Sequence, residues 1–172
     1  MSQISNLISQ INKDVCFQTT DDKRFRLRAA AIIIEGNDVL FATNSAENYY
    51  YSIGGAIELG ETAEEAVKRE VLEETGIVYE IDRLAFVQEN FFKRNDGMLK
   101  GLECHEITFY FLMKPKGNKE LNSHSKTLNN TIEERMEWLP IDKLNQYEAY
   151  PMFFRDKLCD IKPYVEHIVT RQ

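Results

Sequence analysis

The chain has 172 residues, 43% of them hydrophobic, which is enough for one ordinary core and calls for a single domain over 1–172. A formal charge of −7 excludes a general nucleic-acid-binding role, because no large basic surface is left to neutralise a phosphate backbone; small anionic substrates stay open through a metal. Cys16, Cys104 and Cys159 have no paired spacing, no stretch approaches the length of a membrane span, and Met1 to Ile8 lacks a basic leader, so a disulfide framework, a zinc site and a membrane role are all excluded and a reducing cytoplasm is expected.

Ile4, Leu7, Ile8 and Ile11 recur at i, i+3, i+4 and i+7, which predicts a short amphipathic helix within residues 1–15. Its polar face is too poor in Lys and Arg for a membrane surface, so packing on the core or in a homodimer is its expected use. Arg24 to Ile34 is rich in β-formers, and Glu35-Gly36-Asn37-Asp38 makes a turn before Val39 to Thr43, which predicts a hairpin. Tyr49 to Ser52 delivers a strand into Gly54-Gly55. Tyr79 to Phe92 and His105 to Lys114 read as two long strands, the second alternating at Ile107, Phe109 and Phe111, joined through the turn signal Lys93 to Gly97.

Lys116 to Glu134 is polar, carries Gly117-Asn118 and Asn129-Asn130, and reads as an exposed loop long enough to be functional. Arg135 to Leu139 follows as a short strand, Pro140 to Asp142 as a turn, and Tyr147 to Tyr164 as a terminal helix or two. No internal repeat or domain boundary interrupts this order. The pattern is that of an α+β layered sandwich.

The segment Gly55 to Ile77 carries the chemistry. Thr62 follows the turn Leu59-Gly60-Glu61 and has Glu65 three residues on, which predicts a capped helix start; Gly76 suits the left-handed position past its end near Glu74. At about 100° per residue, Glu70, Glu73 and Glu74 fall within an arc of about 100° and share one helix face. A solvated face is the ordinary fate of a Glu run, but Ala63, Ala66 and Val67 point nearly the same way, while Glu65 and Lys68 already supply the solvent side. Carboxylates crowded near the buried side repel one another and lose hydration, a cost that a divalent cation removes. Oxygen-only ligands select Mg²⁺ or Mn²⁺.

Written as a pattern, this segment is Gly55, five residues, Glu61, seven residues, then Arg69-Glu70-Val71-Leu72-Glu73-Glu74-Thr75-Gly76-Ile77, and it resembles the signature of the Nudix hydrolases at every specified position. The resemblance implies an α/β/α sandwich with a mixed sheet, covering about Arg24 to Leu158. It also implies cleavage of a small-molecule diphosphate, a nucleoside diphosphate joined to another moiety, by water attacking phosphorus with Mg²⁺ or Mn²⁺ as cofactor. Carried over position by position, Glu70, Glu73 and Glu74 are the expected metal ligands, with the carbonyl of Gly54 or Gly55 adding an oxygen. Arg69 and Glu61 would pair with each other or orient Glu70.

The family does not place its general base at one motif position. An acid before the late Trp138 strand is one recurrent location, which makes Glu133 the first candidate and Glu134 the second, with Glu89, Glu106 and His105 as rivals on strands. Tyr49, Tyr50, Tyr51, Phe91, Phe92 and Tyr150 are candidates for stacking on a base or sugar. Two departures leave the substrate unassigned. Beyond the motif, Phe92 to Asn95 stands where ADP-ribose hydrolases have a proline and dinucleoside polyphosphate hydrolases a tyrosine, and Ile53 replaces the proline that often precedes the paired glycines. The alternatives are a non-catalytic nucleotide-metabolite-binding module of the same fold, and a hydrolase of a non-nucleotide diphosphate such as an isoprenoid or inositol compound.

Overall fold

Strand Lys23–Ile32 is the element on which the rest is hung, because its last four residues, Ala29 to Ile32, are apolar and buried on both faces. In the computed structural model, which describes residues 13–46, 48–93, 100–122 and 132–172, the strands are β1 Cys16–Gln18, β2 Lys23–Ile32, β3 Ile34–Glu35, β4 Asp38–Asn44, β5 Tyr50–Ser52, β6 Gly54–Ala56, β7 Ile81–Lys93, β8 Glu103–Met113, β9 Glu134–Pro140, β10 Ala149–Tyr150 and β11 Glu166–Arg171. Helix α1 spans Ala63–Thr75 and the one-turn helix α2 spans Phe154–Lys157, with 3₁₀ turns at Ile141–Gln146 and Leu158–Asp160. The expected N-terminal helix, the turn at residues 94–97 and the middle of the Lys116 to Glu134 loop lie outside the described residues.

Two mixed sheets form. The first runs β1-β2-β8-β7-β11 with β6 also on β2; the second runs β10-β5-β4-β3 with β9 on β4. Strand β2 is parallel to β8 and antiparallel to β6. A strand sandwiched between layers reads as a continuous apolar run, since both of its faces must avoid water. Ala29, Ala31 and Ile33 turn toward one core with Ala66, Val67 and Val71 of α1. Ala30 and Ile32 turn toward a second core with Leu144, Phe154 and Leu158. Helical layers on either side of the sheets make this the α+β layered sandwich that the sequence pattern predicts.

Two local expectations are corrected. The hairpin between Arg24–Ile34 and Val39–Thr43 exists only at its tip, where Ile34 pairs with Val39 and Glu35 with Asp38 around Gly36 at φ 64°. Buried on both faces, β2 needs a partner along each edge and finds β8 and β6, while β4 crosses into the second sheet between β5 and β9. The stretch Tyr147 to Tyr164 supplies only one α-helical turn, Phe154–Lys157, and one 3₁₀ turn, Leu158–Asp160. After it the chain adds β11, parallel to β7 from Glu166 opposite Phe86 to Arg171 opposite Phe91, an edge strand whose alternating half-buried and exposed residues reflect one covered face.

Phe154 is 1% exposed in the second core and Leu59 is 85% exposed. Phe154→Ala is therefore expected to cost about 3–5 kcal/mol in urea unfolding, and Leu59→Ala less than about 0.5 kcal/mol; equal losses would mean that the short helices do not seal a core.

Candidate active site

Helix α1 forms where local signals agree. Thr62 Oγ1 accepts from the amide of Glu65 at 3.2 Å, and Glu65 accepts from the amide of Thr62 at 2.8 Å, a closed capping box. Gly76 ends it at φ 68°, donating to Leu72 O at 2.9 Å. The apolar side, Ala66, Val67 and Val71, is buried, and this fixes the rotation of the helix about its axis. The acids are thereby aimed at β6.

The two glycines of β6 do different work. Gly54 has φ 136°, and a Cβ there would run into the backbone of Ala29 and Ala30 in β2, so the loop closes only because no side chain is present. At Gly55 a Cβ would occupy the place of the Glu70 carboxylate. Gly55 is opposite Ala29, and the flanking bonds from Ala31 N–H to Ile53 O (2.8 Å) and from Ile57 N–H to Leu27 O (3.1 Å) make it, by antiparallel alternation, the next pair to exchange both backbone bonds. Its carbonyl belongs to the ladder. Gly54 faces outward from β2: its amide donates to the Glu74 carboxylate at 3.3 Å, and its carbonyl accepts from Arg28 Nη2 at 2.9 Å.

Arg69 organises the acids from the side. Its Nε and Nη2 grip Glu61 in a two-point fork at 2.9 Å each, Nη1 donates to Glu70 at 2.6 Å, and Nη2 also donates to Ala56 O at 3.1 Å. Glu61 in turn accepts the Glu58 amide at 3.1 Å, so the entry turn is tied to the helix. The Arg69 hydrogen bonds hold the Glu61 carboxyl below the usual carboxylate range. Glu73 is the outlying member, with 60% of its side chain exposed and Arg69 at 3.7 Å.

Glu70 and Glu74 carry the electrostatic cost. Burial pushes the Glu70 carboxyl up, although Arg69 pulls the other way. Burial also pushes Glu74 well above the ordinary range; the charges of Glu134 and Glu70 add to this and Arg28 opposes it. Arg28 is buried and donates to Ser52 O at 2.6 Å and Ser52 Oγ at 3.0 Å; burial pulls its guanidinium down, but the charges of Glu106, Glu74 and Glu70 outweigh this and hold it above its ordinary value. The sequence reading passed over Arg28. A lone Arg inside the apolar run Leu27 to Ile33 was the signal that could have exposed it, since a buried guanidinium demands acceptors.

The remaining candidates divide by sheet face. Along β9, Met136 and Trp138 face the α1 core, and Glu134 is on their side by the two-residue pleat. Glu134 accepts from Tyr51 Oη at 2.6 Å, and Tyr51 is itself bonded by Asn44 at 3.3 Å. Glu133 is exposed on the opposite side, with its amide on Ser45 Oγ at 3.3 Å. Glu106 lies 3.6 Å from Arg26 and its charge also acts on Arg28 beside the acidic pair, whereas Glu89 contacts His167 at 2.8 Å. Tyr49 packs edge-on against Tyr51 and Tyr150, and Tyr50 donates to Glu137 at 2.9 Å. Phe91 stacks on His105.

A divalent cation suits this donor set. All the groups are oxygens, and burial raises both the Glu70 and the Glu74 carboxyl. The acids are not yet gathered, however: among the described residues no three His, Cys, Asp or Glu side chains stand at metal-holding spacing. Glu70 rests on Arg69 instead.

A carboxylate-lined helix behind a glycine turn, set in a two-sheet sandwich, defines a class of phosphoanhydride-cleaving enzymes. Residues 24–157 match the NUDIX domain, and the chain belongs to that family, whose members are pyrophosphohydrolases that generally use divalent metal ions. It is 29% identical over 151 residues to a MutT-like protein of Streptomyces ambofaciens, covering 86% of each chain. In fold it is similar to the MutT protein of Bacillus halodurans, with a TM-score of 0.63 and 18% identity over 85% of this chain and 90% of that one. It is also similar to a UDP-X diphosphatase, with a TM-score of 0.52 and 16% identity over 97% of this chain and 74% of that one. No helix among the described residues is long and apolar enough to cross a membrane.

The raised Glu74 carboxyl has a measurable consequence for stability. When the folded chain disfavours an ionised acid, stability is intact below the unfolded Glu value near 4.3 and falls as pH rises from there toward the folded value. In EDTA, Glu74→Gln is thus expected to unfold at a higher temperature than wild type at pH 7–8, with the difference vanishing near pH 4. A Gln variant less stable than wild type at pH 8 would show that the Glu74 charge is already compensated.

Proposed function

We propose that the chain is a hydrolase of nucleoside diphosphate derivatives that uses Mg²⁺ or Mn²⁺ held by Glu70 and Glu74, with Glu73 and the carbonyl of Gly54 as further oxygens. One observation carries the reading: Glu70 and Glu74 are pressed half-buried against the glycine turn, and their charge is left partly uncompensated. Gly54 serves better than Gly55 because its carbonyl points off the ladder and keeps a second lone pair beside the Arg28 bond. The cation would neutralise phosphate oxygens and activate water at the acidic face. Arg69 keeps Glu70 oriented through its tie to Glu61, a positioning task rather than a contact with the reacting atoms.

Water attacks phosphorus, the bond to the bridging oxygen breaks with its electron pair leaving on that oxygen, and the water proton must be accepted nearby. Of the two acids before Trp138, Glu134 is the better placed. It faces the acidic helix closely enough for its charge to act on Glu74, and Tyr51 fixes its carboxylate, whereas Glu133 points to the other face of β9. The nucleotide class is supported by the family and by its likeness in fold to a UDP-X diphosphatase.

A panel of nucleotide sugars, dinucleotides and nucleoside triphosphates incubated with Mg²⁺ is expected to release a nucleoside monophosphate from at least one compound, with none released in EDTA. Binding without product across the panel would mean a sensing module instead. On the best substrate, Glu134→Gln is expected to lower kcat by about a hundredfold while leaving the half-saturating Mg²⁺ within about threefold of wild type, and Glu133→Gln to change kcat less than about threefold. The reverse order would return the proton-accepting role to Glu133.

A further inference from the structure

A second, chemically different surface lies on the first sheet, away from the acidic helix. The registers of five strands bring Phe17, Phe25, His105, Phe91 and Arg171 into a single rung: Phe17 opposite Phe25, Phe25 opposite His105, His105 opposite Phe91, and Phe91 opposite Arg171. The rings touch in sequence. Phe17 and Phe25 stack at 5.4 Å, His105 meets Phe25 edge-on at 5.3 Å, Phe91 and His105 stack at 4.2 Å, and the Arg171 guanidinium lies 4.1 Å from the Phe91 ring centre. None of these residues belongs to the buried set of either core, and Phe17 is 58% exposed. The rung is the floor of a cleft of about 660 Å³, within the size range of small-molecule sites.

The charge around this cleft runs against that of the chain. On the rung's face of the sheet, Lys23, Lys93 and Arg171 line the cleft of a protein of net −7, with the acid Glu103 paired opposite Lys23 and Lys93. Lys23 is shared with Asp21 at 2.7 Å, and Glu89 stands on the rim 2.8 Å from His167. His105 Nε2 is buried without a hydrogen bond, 4.0 Å from Glu89, too far to be satisfied by it. Flat rings flanked by guanidinium and ammonium groups are the chemistry that holds a planar aromatic body carrying an acidic group.

We infer that this rung is a binding site for an aromatic anion of nucleotide type, separate from the diphosphate-cleaving centre. Phe25 lies four residues along β2 from Ala29, the partner of Gly55, so the rung is about 13 Å from the acidic face at 3.3 Å per residue. The aromatic body lies over the ring edges of His105 and Phe91, whose faces are already taken by each other and by Arg171, and the acidic group reaches Arg171 and Lys93. The two centres respond oppositely to metal. Without a cation the acidic helix repels anions, whereas the rung needs none.

Titration calorimetry of the intact chain with adenosine 5′-monophosphate in EDTA tests this inference independently of catalysis. Saturable binding of about one nucleotide per chain is expected, with adenosine and inorganic phosphate each weaker by at least about tenfold, because each supplies only half of the contacts. Arg171→Gln and Lys93→Gln, both at exposed positions, are each expected to weaken the nucleotide by at least about fivefold. Glu74→Gln is expected to leave the titration unchanged. No saturation by about 10 mM, phosphate matching the nucleotide, or wild-type binding by both surface variants would overturn the site. Because no metal is present, an inactive hydrolase would not alter this result.

Discussion

Two carboxylates are held half out of water on one face of a helix, closer to each other than their charge favours, and the surrounding chain is arranged to keep them there. Burial raises both Glu70 and Glu74, and Glu134 across the gap raises Glu74 further. Such a cluster is unfavourable by itself and becomes favourable when a cation joins it, which is how a fold can keep a site poised for metal at a cost in the stability of the metal-free chain.

The architecture serves that constraint. The apolar stripe Ala66, Val67 and Val71 rotates the acids toward β6. Gly54 and Gly55 let the helix come within contact distance of the loop, since a side chain at either position would strike backbone or carboxylate. Arg69 and Arg28 bracket the cluster. Arg69 donates directly to Glu70 while its other nitrogens hold Glu61 and Ala56 O, and Arg28 is fixed on Ser52 and Gly54 beside Glu74. Tyr51 holds Glu134 from the second sheet.

What could be read from sequence was local. The capping box, the left-handed stop at Gly76 and the shared direction of Glu70 and Glu74 all lie within a few residues of one another, where helical spacing decides geometry, while Glu73 stands apart with 60% of its side chain exposed. The choice between Glu133 and Glu134 was not local. Adjacent residues on a strand point to opposite faces, and only the pairing of β9 with β4 says which face is which. Arg28 escaped notice because its role depends on β5 and β6 arriving beside β2, and the aromatic rung because it joins five strands from Phe17 to Arg171. The hairpin after β2 failed for a related reason: the turn at Gly36 is real, but burial on both faces sends β2 to other partners. Strand β11 is short and amphipathic, and its only sequence signal is the alternation around Ile168 and Thr170.

Crystals soaked in Mn²⁺ and measured at the manganese absorption edge test the central claim most directly. The account predicts an anomalous peak between the Glu70 and Glu74 carboxylates and the Gly54 carbonyl, with Glu70 drawn off Arg69 toward it. A peak elsewhere on the chain, with Glu70 still bonded to Arg69 and the acidic face without metal, would contradict it.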